Sequence, residues 1–132
     1  SPQRIITSVH AAKAGHPGGS LSAADIFTYL YFEEMNVDPK DPKKADRDRF
    51  VLSKGHTAPG LYSALALKGY FPVDDLETLR HLGSYLQGHP DMKHIPGVGY
   101  VQRFSGSGES LQRWVWRSQA RWTMPIIVYT RC

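Results

Sequence analysis

A chain of 132 residues, 41% of them hydrophobic, makes one ordinary domain or part of a larger one, with enough apolar content for a core. Its single cysteine cannot close an internal disulfide, no run approaches the roughly 20 apolar residues that span a membrane, and the first ten residues lack a signal peptide's basic-then-apolar pattern. The net charge of +4 lies wholly in residues 99–132, because 11 Lys or Arg balance 11 Asp or Glu through residue 98, so most of the chain carries no basic nucleic-acid surface.

Up to residue 98 the pattern reads as helices joined by glycine turns, with little strand. Ile5, Ile6, Val9 and Ala12 recur at helical spacing, which predicts a helix over residues 3–14 ending at Gly15. Ser22 followed by Asp25 resembles a capping box, and Ala23, Ile26, Phe27, Leu30 and Tyr31 continue as an apolar stripe to near Met35. Residues 36–49 hold two prolines among alternating charges and predict a solvated loop. Phe50, Val51 and Leu52 predict a short buried strand, and Leu61, Ala64 and Leu65 a helix running to Gly69. Asp74 with Glu77 predicts a capped helix to about Leu82, and residues 83–98 a loop.

Three histidines sit beside glycine, in AGHPGGS at 14–20, LSKGHTAPGLY at 52–62 and LQGHPDMKHIPG at 86–97. Glycine lets a ligand approach the backbone closely. For His16, a helix stop followed by a new start explains the flanking glycines and Pro17 equally well. His56 follows a strand and precedes a helix, where an open α/β sheet places ligands and helix amides favour phosphate. His89 lies among turn formers and has a purely local hydrogen-bonding alternative. His10, His81 and His94 lack a glycine bracket and receive no role. The spacing matches no usual zinc ligand pattern, so no metal ligand is assigned.

AGHPGGSLSAADIFTYLY, DRFVLSKGHTAPGLYSALALKGYF and LGSYLQGHPDMKHIPGV resemble the N-terminal, diphosphate-binding region of transketolases, particularly the shorter two-subunit bacterial type. The resemblance is near continuous over residues 3–98. It implies part of a three-layer α/β thiamine-diphosphate-binding domain, helix-rich at its N-terminal edge and missing most of its parallel sheet. It also implies that thiamine diphosphate carries the chemistry, a two-carbon ketol transfer from a ketose phosphate to an aldose phosphate. On that resemblance His16 and His89 are the catalytic candidates, His16 moving protons and His89 orienting the donor's hydroxyl or carbonyl end. His56 would contact the cofactor diphosphate, with Gly55, Lys54 and Ser53 as adjacent candidates. QGHPD with AGHPGG favours transketolase over a deoxyxylulose-phosphate or dihydroxyacetone synthase.

The resemblance stops where composition breaks. Residues 99–132 hold all three tryptophans and Cys132 but none of the six histidines. Transketolases continue after PGV with a segment like DMSSGSLGQGISAAVGMAL, whereas this chain reads GYVQRFSGSGESLQRWVWRS. A permitted coding of Gly99–Ser107, GGA TAT GTC CAG CGG TTC TCT GGG TCA, becomes GAT ATG TCC AGC GGT TCT CTG GGT when its first base is dropped, which spells DMSSGSLG. Dropping one further G near Gly108 and Glu109 lets the rest spell QGISAAVGMALSSKMDNADYRVYTL. The expectation is therefore a domain part at 1–98 and a frameshifted tail at 99–132; the competing view is a genuine Arg and Trp surface for membrane or single-stranded nucleic acid.

Two consequences follow from the resemblance. The family's GDG-type motif with its downstream asparagine, which holds Mg2+ against the cofactor, has no counterpart here, nor does the domain whose glutamate activates the cofactor ring. The chain is expected to work only within an intact parent, as a homodimer or with a C-terminal transketolase subunit, on sugar phosphates and with neither nucleic acid nor membrane as partner. Because Ser1 stands where a methionine would open a gene, the chain is expected to begin inside a longer reading frame, and its cysteine usage points to the cytoplasm. The alternative is a catalytically dead remnant that binds phosphates or a partner subunit, with exposed apolar surface that favours aggregation.

Overall fold

The structure, a computed structural model, describes residues 2–52, 55–90 and 93–98, together with the backbone of 121–124 and 127–130. The elements in chain order are α1 (Pro2–Ala12), α2 (Pro17–Ser22), α3 (Ala24–Tyr29) continued by a π turn (Leu30–Glu34), and β1 (Arg49–Leu52). A 3-10 turn (Gly55–Thr57) then leads into α4 (Ala58–Lys68), and a second 3-10 stretch (Val73–Thr78), β2 (Arg121–Met124) and β3 (Ile127–Thr130) follow.

Helix α4 is the centre of the fold. Every residue from Ala58 to Ala66 is buried, so this helix is apolar all round rather than amphipathic. Pro59 starts it in the first turn, where a missing N–H costs nothing. Gly69 stops it in the left-handed region (φ 102), its amide donating to the carbonyls of Leu65 and Ala66. Helices α2 and α3 approach closely because residue 60 is glycine: a Cβ there would lie 2.8 Å from the Phe27 ring and 3.2 Å from the Ser20 carbonyl oxygen. Phe27, Leu30, Tyr31, Phe50, Leu61, Tyr62 and Leu65 form the heart of the core.

The N-terminal helix follows its expected course but buries a different set of residues. Ile5 and Ser8 face inward with Val9 and Ala12 partly covered, while Ile6 stays 53% exposed. Spacing 5, 8, 9, 12 is the face that a 3.6-residue period selects, and Ile6 lies off it. The buried Ser8 hydroxyl is satisfied by the Ile5 carbonyl at 2.9 Å.

The predicted cap at Ser22 does not form. A separate short helix, α2, occupies residues Pro17–Ser22, and the Ser22 hydroxyl donates back to the Gly19 carbonyl at 2.8 Å instead of reaching forward. The stripe beyond it ends as expected, with the Met35 amide closing the π turn on the Leu30 carbonyl at 2.8 Å.

The charged loop is solvated except at its end. Asp48 is 1% exposed, and its carboxylate accepts the Asn36 amide at 2.7 Å, clasping the two ends of the loop. Strand β1 is buried at Phe50, Val51 and Leu52 as predicted.

After Pro72 the predicted helix to Leu82 is only the 3-10 stretch, followed by turns. The Arg80 amide turns away to the Leu86 carbonyl at 2.8 Å, which ends helical bonding and leaves Leu82 fully exposed. Residues from 83 onward form the expected loop among those described, pinned by Tyr62 Oη donating to the Gln87 carbonyl at 2.7 Å and by Tyr85 donating to Asp75. Leu86, Ile95 and Val98 bury its apolar side.

The three described strands form one sheet in the order β1-β3-β2, and both pairings are antiparallel. The fold class is α/β and helix-rich, as expected, but no parallel pair occurs among the described residues. For β2 and β3 the physical reason is connection length: only residues 125 and 126 separate them, whereas parallel neighbours need a crossover of about a dozen residues or more.

Candidate functional site

Three turns deliver three imidazoles to one cleft. His16 is the N-cap residue of α2 (φ −118), and its side chain makes no capping hydrogen bond, which frees the ring for the cleft. His56 sits in the 3-10 turn that carries β1 into α4. His89 comes from the loop pinned by Tyr62. The rings stand in a row with His56 in the middle: His16 to His56 is 5.7 Å between centroids at 84°, and His56 to His89 is 5.9 Å at 78°. All three residues are solvent-exposed, so the row is open to a ligand.

The cleft has a volume of about 270 Å³. Besides the histidines, its walls are Ala14 and Gly15 from the α1–α2 turn, Pro59 at the start of α4, and Leu79, Arg80 and Gly88 from the loop that carries His89. Imidazoles that both donate and accept, a guanidinium and small or apolar walls make a set of hydrogen-bond donors without a competing carboxylate among the described residues. That chemistry suits a ligand with an anionic group and exchangeable hydroxyl protons.

Glycine shapes the cleft at Gly55. A Cβ there would lie 2.5 Å from Nδ1 of His89 and 3.0 Å from Cε1, so the imidazole rests directly on the backbone of residue 55. The sequence singled out Gly55 as a ligand approach; the contact its missing side chain permits here is with His89. At Gly88 the neighbour is Arg80, whose Nε would be in ordinary contact, 3.5 Å, with a Cβ at that position.

Sequence reasoning named His16, His56, His89 and Gly55, and the structure brings these four together. Ser53 and Lys54 lie outside the described residues. His10, His81 and His94 do not line the cleft. Reasoning from the sequence missed Arg80, which it placed inside a helix; the residue instead adopts a left-handed conformation (φ 61), worth about 1–2 kcal/mol of strain for a side chain with a Cβ. No group of three His, Cys, Asp or Glu side chains among the described residues is arranged to hold a metal ion.

The perturbed phenols are not among the residues that line the cleft. Burial pushes the Tyr31 hydroxyl well above the usual phenol range, reinforced by neighbouring Tyr70. Tyr85 is raised first by burial and then by its hydrogen bond to Asp75. Both favour the neutral phenol, which fixes the donors that hold the loop in place.

Residues 4–111 match the family described as "Transketolase, thiamine diphosphate binding domain", a span that runs past the compositional break at residue 98. The 6-deoxy-6-sulfo-D-fructose transketolase subunit SqwG of Clostridium sp. (strain MSTE9) is 49% identical over 96 residues, covering 73% of this chain and 35% of its own length. An apulose-4-phosphate transketolase subunit of Phocaeicola vulgatus is 46% identical over 109 residues, covering 83% of this chain and 38% of its own. A transketolase from Pichia stipitis, solved in complex with sedoheptulose 7-phosphate, superposes with a TM-score of 0.62 at 40% identity over 74% of this chain and 14% of that one. The chain therefore spans little more than a third of the length of those curated relatives.

Proposed function

Because the chain belongs to the transketolase family through its thiamine diphosphate binding domain, we propose that it is the N-terminal segment of a transketolase and supplies the histidine side of the cofactor cleft. The observation that carries this reading is the convergence of His16, His56 and His89 from three separate turns within 6 Å steps of one another. Segments this far apart in sequence have no local reason to align three exposed rings. The reaction would be two-carbon ketol transfer between sugar phosphates.

The donor set fits the cofactor's diphosphate end. Imidazole N–H groups donate to phosphate oxygens, and among the described residues that line the cleft no carboxylate repels them. Thiamine diphosphate, when bound, would supply the nucleophilic carbon that accepts the two-carbon unit. His56, at the centre of the row, would donate to the diphosphate, with Lys54 and Ser53 as its neighbours in that task. His16 would take and return the proton of a substrate hydroxyl, and His89 would hold the donor's hydroxyl or carbonyl end in register. Among the described residues no group of three His, Cys, Asp or Glu side chains is placed to hold magnesium.

The partner follows from length and from the relatives' names. Both curated relatives are named as transketolase subunits rather than whole enzymes, which supports a second chain that completes the site. Their substrates by name carry a sulfonate in one case and a phosphate in the other, so sugars ending in a tetrahedral anion are the substrate class. Among the described residues no helix is long and apolar enough to cross a membrane.

Residues 99–132 are best explained as a tail read out of frame, created by two single-base insertions in runs of G. What supports this is the alternative coding, which spells the glycine-rich continuation that the family carries. Resequencing the coding DNA across both G runs tests it. Loss of the extra bases places the frameshift in the sequencing and their confirmation places it in the gene, whereas codons whose alternative frame does not spell the family's continuation would oppose it.

The functional reading is tested by calorimetric titration of the chain with thiamine diphosphate in the presence and absence of magnesium, thiamine serving as the control. Binding of the diphosphate form with weakening on His56→Gln supports the reading. Equal binding of thiamine and thiamine diphosphate contradicts it. A coupled two-carbon transfer assay with and without a transketolase C-terminal subunit then separates a working subunit from a phosphate-binding remnant.

A further inference from the structure

Arg80 shares the cleft with the three histidines, yet the roles above leave it unused. It is the one Lys or Arg among the described residues that line this cleft. Its backbone occupies the left-handed region at φ 61, which glycine adopts freely and arginine does not. The turn imposes that conformation: the Arg80 amide is committed to the Leu86 carbonyl at 2.8 Å, and the flanking Leu79 and Leu86 are both buried. Glycine would serve such a turn without strain, as it does three residues on at Gly83 (φ 86). Strain retained at a cleft residue points to a use for its side chain.

The side chain is also seated. Gly88 offers no Cβ, and the Arg80 guanidinium lies against it, with Nε 3.5 Å, Cδ 3.7 Å and Cζ 3.8 Å from where that atom would be. The guanidinium therefore lies beside Gly88, the residue immediately before His89. Asp75, the acid nearest in sequence that faces this loop, already accepts the Tyr85 hydroxyl. Among the described residues no carboxylate forms an ion pair with Arg80. A guanidinium that has no carboxylate partner among the described residues, in a cleft lined with imidazoles, is placed to receive an anion.

We propose that Arg80 is the anion-receiving residue of the cleft, binding a phosphate-class group beside His89 through its planar donor fork. The group belongs either to the cofactor or to the terminal carbon of a sugar; this part of the proposal rests on the transketolase reading, whereas the anion site itself does not. A tetrahedral oxyanion accepts two parallel N–H donors from a guanidinium, which a lysine in the same place does not reproduce.

The test uses the full chain and its Arg80→Gly and Arg80→Lys variants, titrated calorimetrically with thiamine diphosphate, thiamine, ribose 5-phosphate and ribose. Arg80→Gly removes the cation and relieves the left-handed strain, so it should melt no lower than the native chain; a loss of binding then cannot be assigned to unfolding. The expected result is at least a tenfold weakening of one or both phosphate-bearing ligands, none for thiamine or ribose, and partial recovery in Arg80→Lys. Weakening confined to thiamine diphosphate assigns the anion to the cofactor, and weakening confined to ribose 5-phosphate assigns it to the sugar. Arg80→Gly binding both phosphates within twofold of the native chain overturns the proposal, as does a native chain that binds neither. If ribose 5-phosphate binding depends on Arg80 while thiamine diphosphate does not bind at all, the transketolase reading falls and the anion site stands.

Discussion

Helix α4 and the rim of the histidine cleft are joined at Pro59, yet they are built on opposite principles. The helix buries nine consecutive residues and shows no polar face. The rim is made of turns, exposes all three of its histidines, and includes left-handed backbone at Gly15 (φ 132) and Arg80 (φ 61). Helix α4 gains its stability from apolar area removed from water. The rim gains little from burial, because its three imidazoles are exposed. The difference teaches that in this chain stability and chemistry are assigned to separate residues, and that the first serves to hold the second still.

The sharpest way to break that division is to cut into α4. Leu61→Ala removes a fully buried side chain from the heart of the core and should cost about 3 kcal/mol, read as a lowered midpoint in urea unfolding. If the loss were under about 1 kcal/mol, α4 would not be the centre of the fold. A smaller stability effect with a larger functional one is expected at Gly55→Ala. The new methyl group would drive into the His89 imidazole, which can swing aside, so stability should fall by no more than about 1 kcal/mol while ligand binding at the cleft is lost. Unchanged binding in that variant would mean that the seat of His89 on residue 55 has no bearing on the site. The three histidines sharpen the contrast from the other side: His16→Gln, His56→Gln and His89→Gln should each change stability by less than about 0.5 kcal/mol, since each residue is exposed.

The smallest expected effect is on pH. Tyr31, Tyr70 and Tyr85 all have phenols raised above their ordinary value, chiefly by burial. The fold favours the neutral form, so this contribution is complete below the ordinary phenol pKa of about 10 and is lost as pH rises beyond it. Thermal melts should be flat between neutrality and about pH 9.5, then fall, and Tyr31→Phe should reduce the fall. An unchanged alkaline profile in that variant would remove Tyr31 as its source.

Much of the scaffold was legible in the residue pattern. Leu61, Ala64 and Leu65 with Gly69 announced α4, and Phe50 to Leu52 announced β1, because apolar spacing and glycine stops are local signals. Ser22 misled, since its hydroxyl found the Gly19 carbonyl within its own turn. Asp74 and Glu77 misled for a different reason: the chain leaves the helical path at Arg80 to bond with Leu86, a tertiary closure that no window of spacing records. The same closure hid Arg80 from the site. The histidines were legible as individuals from their glycine neighbours, but nothing in separations of 40 and 33 residues encodes ring centroids less than 6 Å apart. That geometry was available only through the resemblance to transketolases.

The central claim is that the exposed row of His16, His56 and His89 is a thiamine diphosphate site. Its most direct test is imidazole-resolved NMR of the chain during titration with thiamine diphosphate. The account predicts that the signals of those three histidines shift together at one saturating concentration while His10, His81 and His94 stay in place. Shifts confined to the second set, or none at a concentration where the ligand is bound, would contradict it.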